Sequence, residues 1–407
     1  MRDERRILLV VLVAVGVARG LSAEETVILD MDAVRHKTGE VTTKEGHKVP
    51  IGTVELVEGK FNKAVRFSFT DGVGAGFMTA SVQATREWDQ AAGMSFYVRG
   101  DGSTNWAGLE LIDRNDYSLR YAFCFPIDST EWRKVVLPWG ELIPELAGPL
   151  IDARSGYAPS GFGNLWFGKW FYWREYPAHA FAIDRVSLET DLPPGQSMRW
   201  EVGLKRFRAK LNARQPVTVV TMGDSLTDKR HWANQQTLWA ESFAAQLKEK
   251  SGCEVRLINP AIGGTTLSQN LVLMPRWLKS APTPDLVTIW FGGNDWDSGV
   301  RGARFREYLS MGVDRIRRLT RGSADVVVLT TCPGFKRWNT LKELEEAAKE
   351  VAKQKGTALV DIAGEFRRAG SADRALKEGL WAWDNVHLGT NGHRLTAEAV
   401  MRAVQEP

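Results

Sequence analysis

Gly223-Asp224-Ser225-Leu226 stands directly after the apolar run Val217 to Met222. A serine just beyond a buried strand lies at a sheet edge, where a following backbone N–H can face a developing oxyanion. Far downstream, Asp384-Asn385-Val386-His387 puts a carboxylate three residues before an imidazole. That spacing lets the carboxylate accept from one ring nitrogen and fix the tautomer, leaving the other nitrogen free to deprotonate a serine. Two further blocks offer donors. Asn259-Pro260-Ala261-Ile262-Gly263-Gly264-Thr265-Thr266 has glycines that let the backbone approach a ligand closely, and Phe291-Gly292-Gly293-Asn294-Asp295 has a side-chain amide. The chemistry available to this set is nucleophilic attack by a serine.

These blocks need a scaffold, and the sequence supplies two kinds of periodicity. From about Thr26 to Thr190, short runs alternate with period two between turn residues; Met94, Phe96 and Val98 against Ser95, Tyr97 and Arg99 are the clearest. Many short strands without long helices imply an all-β sandwich. Asp191 to Ser197, with Pro-Pro-Gly, breaks the pattern and marks a boundary. Beyond it, Trp200, Leu204, Phe207 and Leu211 share one helical face. Then apolar runs at Val217 to Met222, Val255 to Ile258, Leu286 to Phe291, Val326 to Thr330 and Ala358 to Val360 alternate with helical stretches. Five such strands imply a parallel sheet covered on both faces, with its site at the carboxyl ends of the strands.

Together the four blocks resemble the SGNH, or GDSL, hydrolase family over roughly Pro216 to Val404. The resemblance implies a three-layer, flavodoxin-like α/β domain with a five-stranded parallel sheet. It implies Ser225 as nucleophile, His387 as general base and Asp384 as its orienter. The implied oxyanion donors are the N–H of Ser225, the N–H of Gly264 and the side chain of Asn294. Adjacent Gly263 leaves the register of the second block open by one residue. The family needs no metal or organic cofactor. His231 and His393 have no third ligand at metal spacing and read as structural or solvent-facing. The Gly-x-Ser-x-Gly elbow of another large esterase class is absent.

Sixteen tryptophans are many, and Trp232, Trp296, Trp381 and Trp383 fall beside the blocks. Aromatic planes suit the C–H faces of sugar rings, although such residues can equally wall a pocket or pack loops. In the first half, Trp166, Trp170, Phe171, Tyr172 and Trp173 crowd together, and this region is similar to galactose-binding or carbohydrate-binding β-sandwiches, jelly-roll-like in form. No long apolar loop or lid-like insertion is legible between the blocks, so a channel for an alkyl chain is not expected.

The rest of the composition narrows the class. The chain has 407 residues, 43% hydrophobic and 25% charged, which fits a folded globular protein of two domains. The net charge is +4, without a like-charged block, so a nucleic-acid partner is not expected. The start carries Arg2, Arg5 and Arg6, an apolar run Ile7 to Ala18, and small residues Ser22 and Ala23, the pattern of a secretory signal. That run is shorter than the ~20 residues a membrane helix needs, so a secreted or periplasmic protein without stable membrane insertion is expected. Three cysteines allow at most one disulfide, and Cys253 with Cys332 is the pair expected to share a domain.

The sequence therefore reads as a signal peptide (1–23), a β-sandwich that could bind carbohydrate (24–190), a linker (191–197) and a hydrolase domain (198–407). The expected activity is removal of O-acetyl groups from a poly- or oligosaccharide through an acyl-enzyme. The competing readings are a lipase, lysophospholipase or thioesterase with the same constellation, and a glycan-binding protein with an inactive hydrolase domain.

Overall fold

The computed structural model describes residues 26–36, 38–42, 46–72, 76–169, 177–192 and 200–405. The expected signal segment, most of the linker and the crowded aromatics Trp170 to Trp173 lie outside them.

The N-terminal half is two facing antiparallel sheets. In chain order its strands are β1 (Thr26–Leu29), β2 (Glu40–Thr42), β3 (Lys48–Pro50), β4 (Gly52–Glu58), β5 (Lys63–Phe69), β6 (Gly76–Ser81), β7 (Gly93–Gly100), β8 (Trp106–Asp113), β9 (Arg120–Pro126), β10 (Arg133–Pro138), β11 (Ile143–Pro144), β12 (Phe162–Lys169) and β13 (His179–Glu189), with one short helix, α1 (Glu87–Gln90). One sheet runs β10-β7-β13-β5-β4, with β1 on β13; the other runs β11-β9-β8-β12-β6. Alternate residues point inward, as strand geometry requires. They meet in an aromatic core of Phe67, Phe96, Phe125, Phe167 and Phe181, whose rings pack edge-on or tilted.

The C-terminal half alternates helices and strands: α2 (Lys205–Asn212), β14 (Val217–Gly223), α3 (Trp239–Ser251), β15 (Val255–Ile258), α4 (Leu267–Ser280), β16 (Leu286–Trp290), α5 (Gly293–Asp297), α6 (Gly302–Leu319), β17 (Asp325–Leu329), α7 (Lys342–Lys355), β18 (Ala358–Val360), α8 (Ile362–Arg367), α9 (Ala372–Lys377) and α10 (Thr390–Gln405). The strands are parallel in the order β15-β14-β16-β17-β18. The chain reverses direction across the sheet at β14, and such a switch point opens a crevice at the carboxyl ends of β14 and β16. Ser225 and Asn294 follow those two ends. The helix expected from Trp200 starts only at Lys205, because Gly203 takes a left-handed φ of 73° and interrupts it.

Helix α4 was not legible from periodicity. Ten of its residues are buried, polar Ser268, Gln269 and Asn270 among them, and Pro275, a residue that reads as a helix breaker, lies inside it. It is buried because the sandwich packs on it: Trp106, Ala122, Cys124 and Ile143 share one apolar core with Leu271, Met274 and Val313. Polar contacts lock the junction. The Cys124 thiol donates to the Val272 carbonyl at 2.9 Å, the Tyr308 hydroxyl to the Gly148 carbonyl at 2.7 Å, and buried Arg315 pairs with Glu141 at 2.8 Å. All three cysteines are buried free thiols; Cys253 faces the Leu211 carbonyl and Cys332 lies at the catalytic edge, so the pair allowed by the sequence is not bridged. No helix among the described residues is long and apolar enough to cross a membrane.

Candidate active site

Ser225 sits in the turn that leaves β14. The Asp224 carbonyl accepts the N–H of Thr227 and of Asp228, closing that turn, and Asn234 ties it down by donating to the Ser225 carbonyl at 2.7 Å. Thr227 folds back over Gly223 so closely that a Cβ there would lie 2.4 Å from its hydroxyl, which is why a glycine precedes the Asp-Ser pair. Opposite, residues 381–388 form a closed loop in which the Ala382 N–H donates to the His387 carbonyl. Asn385 takes a left-handed φ of 62°, a conformation that asparagine tolerates better than most residues. One oxygen of Asp384 accepts the N–H of Val386 and of His387, so the carboxylate builds the turn that presents it.

These two loops bring the polar groups into a chain. His387 Nδ1 lies 2.5 Å from Asp384 Oδ2, and His387 Nε2 lies 2.9 Å from Ser225 Oγ. Asp384 is partly desolvated, which opposes ionisation. Hydrogen bonds from the His387 ring and from the two N–H groups outweigh this and hold its carboxyl below the usual value. The carboxylate therefore stays ionised and keeps the proton on His387 Nδ1, leaving Nε2 to accept from the serine.

The donor side is assembled from three segments. Gly264 has a left-handed φ of 79° with open space around it, so the backbone conformation, not crowding, calls for glycine. The Gly263 N–H donates to Asp228 at 2.8 Å, whereas the Ser225 and Gly264 N–H groups have no hydrogen-bond partner among the described residues. Asn294 donates to the Thr265 carbonyl at 3.0 Å and, at a longer 3.3 Å, to Asp224. Its neighbour Asp295 is fully buried and accepts the Leu267 N–H at the start of α4. Burial raises the Asp295 carboxyl to about 7, with the charge of Asp224 adding to the shift, and burial raises Asp224 to about 6.

Next to Ser225 lies a cavity of about 320 Å³. Its floor is apolar, made by Trp290, Phe291, Cys332 and Leu341, and its mouth is polar, with Lys336 and the Asp297–Arg337 ion pair at 2.7 Å. An apolar chamber was not legible in the sequence, because its walls come from segments far apart in the chain.

The four tryptophans separate. Trp232 and Trp383 stack on each other with centroids 5.0 Å apart, both exposed, and Trp232 lies edge-on to His387 at 5.7 Å. Trp381 is buried among Phe335, Trp338 and Phe366 and donates to the Pro333 carbonyl, so it is a core residue and cannot touch a ligand. Trp296 packs under the Arg301 guanidinium and is not a wall of the cavity. His231, read as structural or solvent-facing, accepts the Ala233 N–H at 3.3 Å and stacks on His387 with centroids 4.0 Å apart. Its place in the loop that follows Ser225 was the signal available. His393 is buried and accepts the Trp239 N–H. Among the described residues no cluster of His, Cys, Asp and Glu could hold a metal ion.

Residues 221–395 match the GDSL-like lipase/acylhydrolase family. No curated protein matches the chain. Among solved structures, the acetylxylan esterase Axe2 of Geobacillus stearothermophilus is 20% identical, covering 47% of this chain and 96% of its own at a TM-score of 0.39. The lipase/acylhydrolase of Enterococcus faecalis is 23% identical over 46% of this chain and 95% of its own, TM-score 0.39. A family 11 carbohydrate-binding module of Clostridium thermocellum is 15% identical over 41% of this chain and 96% of its own, TM-score 0.33. The match to the GDSL-like lipase/acylhydrolase family thus spans the part of the α/β half that carries the Ser225 and His387 loops, with the β-sandwich N-terminal to it.

Proposed function

We infer that the protein is a serine esterase that removes short acyl groups, acetyl above all, from a hydroxylated, carbohydrate-type alcohol. The observation that carries this reading is the unbroken chain from Asp384 through His387 to Ser225 Oγ, at 2.5 and 2.9 Å. Ser225 Oγ attacks the ester carbonyl carbon while His387 Nε2 takes its proton. The oxyanion forms against the N–H groups of Ser225 and Gly264 and against Asn294, which releases its longer bond to Asp224. Collapse breaks the carbon–oxygen bond to the alcohol, and His387 returns the proton to that oxygen. Water, deprotonated by His387, then attacks the acyl-enzyme, and the acid and free Ser225 result. None of these steps calls on a metal or organic cofactor.

The same proton transfers orient the substrate. Because His387 protonates the departing alcohol, that alcohol must lie on the His387 side, where the Trp232–Trp383 pair offers exposed aromatic faces for a sugar ring. The place left for the acyl group is the cavity, whose lining includes Ser225 and Asn294 and also Asp384, Asn385 and Val386 of the His387 loop. At about 320 Å³ that cavity is at the small end of ligand sites. Its apolar floor favours a second reading, a lipase or thioesterase, over the sequence expectation of no alkyl site. On the first reading residues 24–190 are the sandwich, 191–197 the linker, 198–407 the catalytic domain and 1–23 an export signal.

The test is acetate release from acetylated xylan, pectin and mannan, paired with an aryl-ester series. We expect acetate release from at least one polymer and kcat/KM that holds from acetate to butyrate, then falls by about tenfold or more at octanoate. Each additional buried methylene would contribute about 0.8 kcal/mol, so a rate that keeps rising to octanoate would make the lipolytic reading the better one.

A further inference from the structure

The His387 ring is anchored at its two nitrogens, Nδ1 by Asp384 and Nε2 by Ser225. Two such anchors leave the ring free to rock about the line that joins them, which would swing the Nε2 lone pair away from the serine hydroxyl. Packing on a ring face is what can stop that motion. Among the described residues one aromatic ring lies on such a face: His231, with its centroid 4.0 Å away and its plane 29° from parallel. Trp232 meets the same ring edge-on, at 69°. His231 is itself fixed by the turn that carries the nucleophile. Its N–H donates to the Asp228 carbonyl, its carbonyl accepts the Asn234 N–H, and its Nδ1 accepts the Ala233 N–H at 3.3 Å. Buried Asn234 in turn donates to the carbonyls of both Ser225 and Asp228, each at 2.7 Å.

We propose that His231 is a positioning residue of the esterase, a flat backing that holds the His387 ring in line with Ser225. The loop that follows the nucleophile thereby aligns the base as well, and the two keep their 2.9 Å approach because one set of hydrogen bonds fixes both supports. A nitrogen that accepts an N–H carries no proton, so the His231 ring is neutral with its proton on Nε2. A neutral π face also favours the imidazolium that His387 becomes as it takes the serine proton. Losing this face should slow the chemical step rather than weaken substrate binding, since what is lost is alignment of reacting groups. The proposal rests on the reading of His387 as general base.

The experiment compares two full-length variants in aryl acetate hydrolysis. His231→Asn keeps an acceptor for the Ala233 N–H but removes the ring, whereas His231→Phe keeps a flat ring but removes the acceptor. His231→Asn should lower kcat about tenfold with KM changed by less than about twofold, and His231→Phe should keep kcat within about threefold of the parent. Added to His387→Ala, His231→Asn should cost nothing further, because its effect passes through His387. Parent kcat in folded His231→Asn, a His231→Phe protein as slow as His231→Asn, or an equal further loss in the His387→Ala background would each overturn the proposal. If either variant fails to fold, His231→Ala replaces the ringless one and His231→Tyr the ringed one under the same criteria. An undiminished rate in His387→Ala alone would overturn the esterase reading, whereas a strongly slowed His387→Ala beside an unimpaired His231→Asn would overturn only the role of His231.

Discussion

The two flanks of Ser225 are built from different materials. On one side stand His387, stacked on His231, and the exposed Trp232–Trp383 pair, a flat and open aromatic surface. On the other stands Asn294, and between it and the His387 loop lies a small chamber with an apolar floor, lined also by buried Asp224 and by Asp384, Asn385 and Val386. The contrast separates two recognition problems in one reaction. The open flank handles the departing alcohol, whose proton His387 must supply, and can accept a polymer. The closed flank handles the acyl group and the oxyanion, where exclusion of water strengthens each donor.

Perturbing one flank at a time tests this division. The largest contrast should come from the polar groups themselves. His387→Ala should lower kcat by ~10³ or more on any ester, because nucleophile and base act as a unit, and Asp384→Ala by less. Asn294→Ala should cost ~10² in kcat through loss of one oxyanion donor; a change in KM alone would move Asn294 to ground-state binding. Next, Trp383→Ala should raise KM for an acetylated xylo-oligosaccharide by roughly tenfold while leaving a small alkyl acetate nearly unchanged. Equal effects on both substrates would mean that the aromatic pair only supports the His387 loop.

The smallest effect concerns the buried carboxyl next to Asn294 in the chain. The Asp295 carboxyl is raised from 3.8 to about 7 by burial and by the charge of Asp224. Its folded value lies above its unfolded one, so the stability it contributes is complete below pH 3.8 and is lost as pH rises through about 7. Asp295→Asn, whose amide oxygen can still accept the Leu267 N–H, should escape that loss. Its melting temperature relative to the parent should therefore increase from pH 5 to pH 9. A difference that stays constant with pH would show that ionisation of Asp295 does not bear on the fold.

What the sequence revealed follows the same physical lines. Val217 to Met222 and Leu286 to Phe291 are legible because buried parallel strands are short continuous apolar runs, and chain order alone puts Ser225 and Asn294 at their ends. Asp384 and His387 interact within three residues, so their pairing is a local event. Helix α4 was missed because Pro275 interrupts its pattern and because its first turn buries polar Ser268, Gln269 and Asn270. Trp381 and Trp383 look equivalent in sequence, yet a two-residue step turns one into the core and leaves the other exposed. The cavity floor joins residues of separate segments, and the sandwich's grip on α4 joins Cys124 to Val272, 148 positions away, so no local pattern encodes such contacts.

The central claim is that Ser225 carries the acyl group, and intact mass measurement tests it most directly. The full-length protein, mixed with an aryl acetate and quenched in acid within the first turnovers, should gain one acetyl group. Proteolysis should map it to the peptide containing Ser225, and folded Ser225→Ala should show neither the adduct nor hydrolysis. Hydrolysis at the parent rate by folded Ser225→Ala, or an acetyl group on a different residue, would contradict the account.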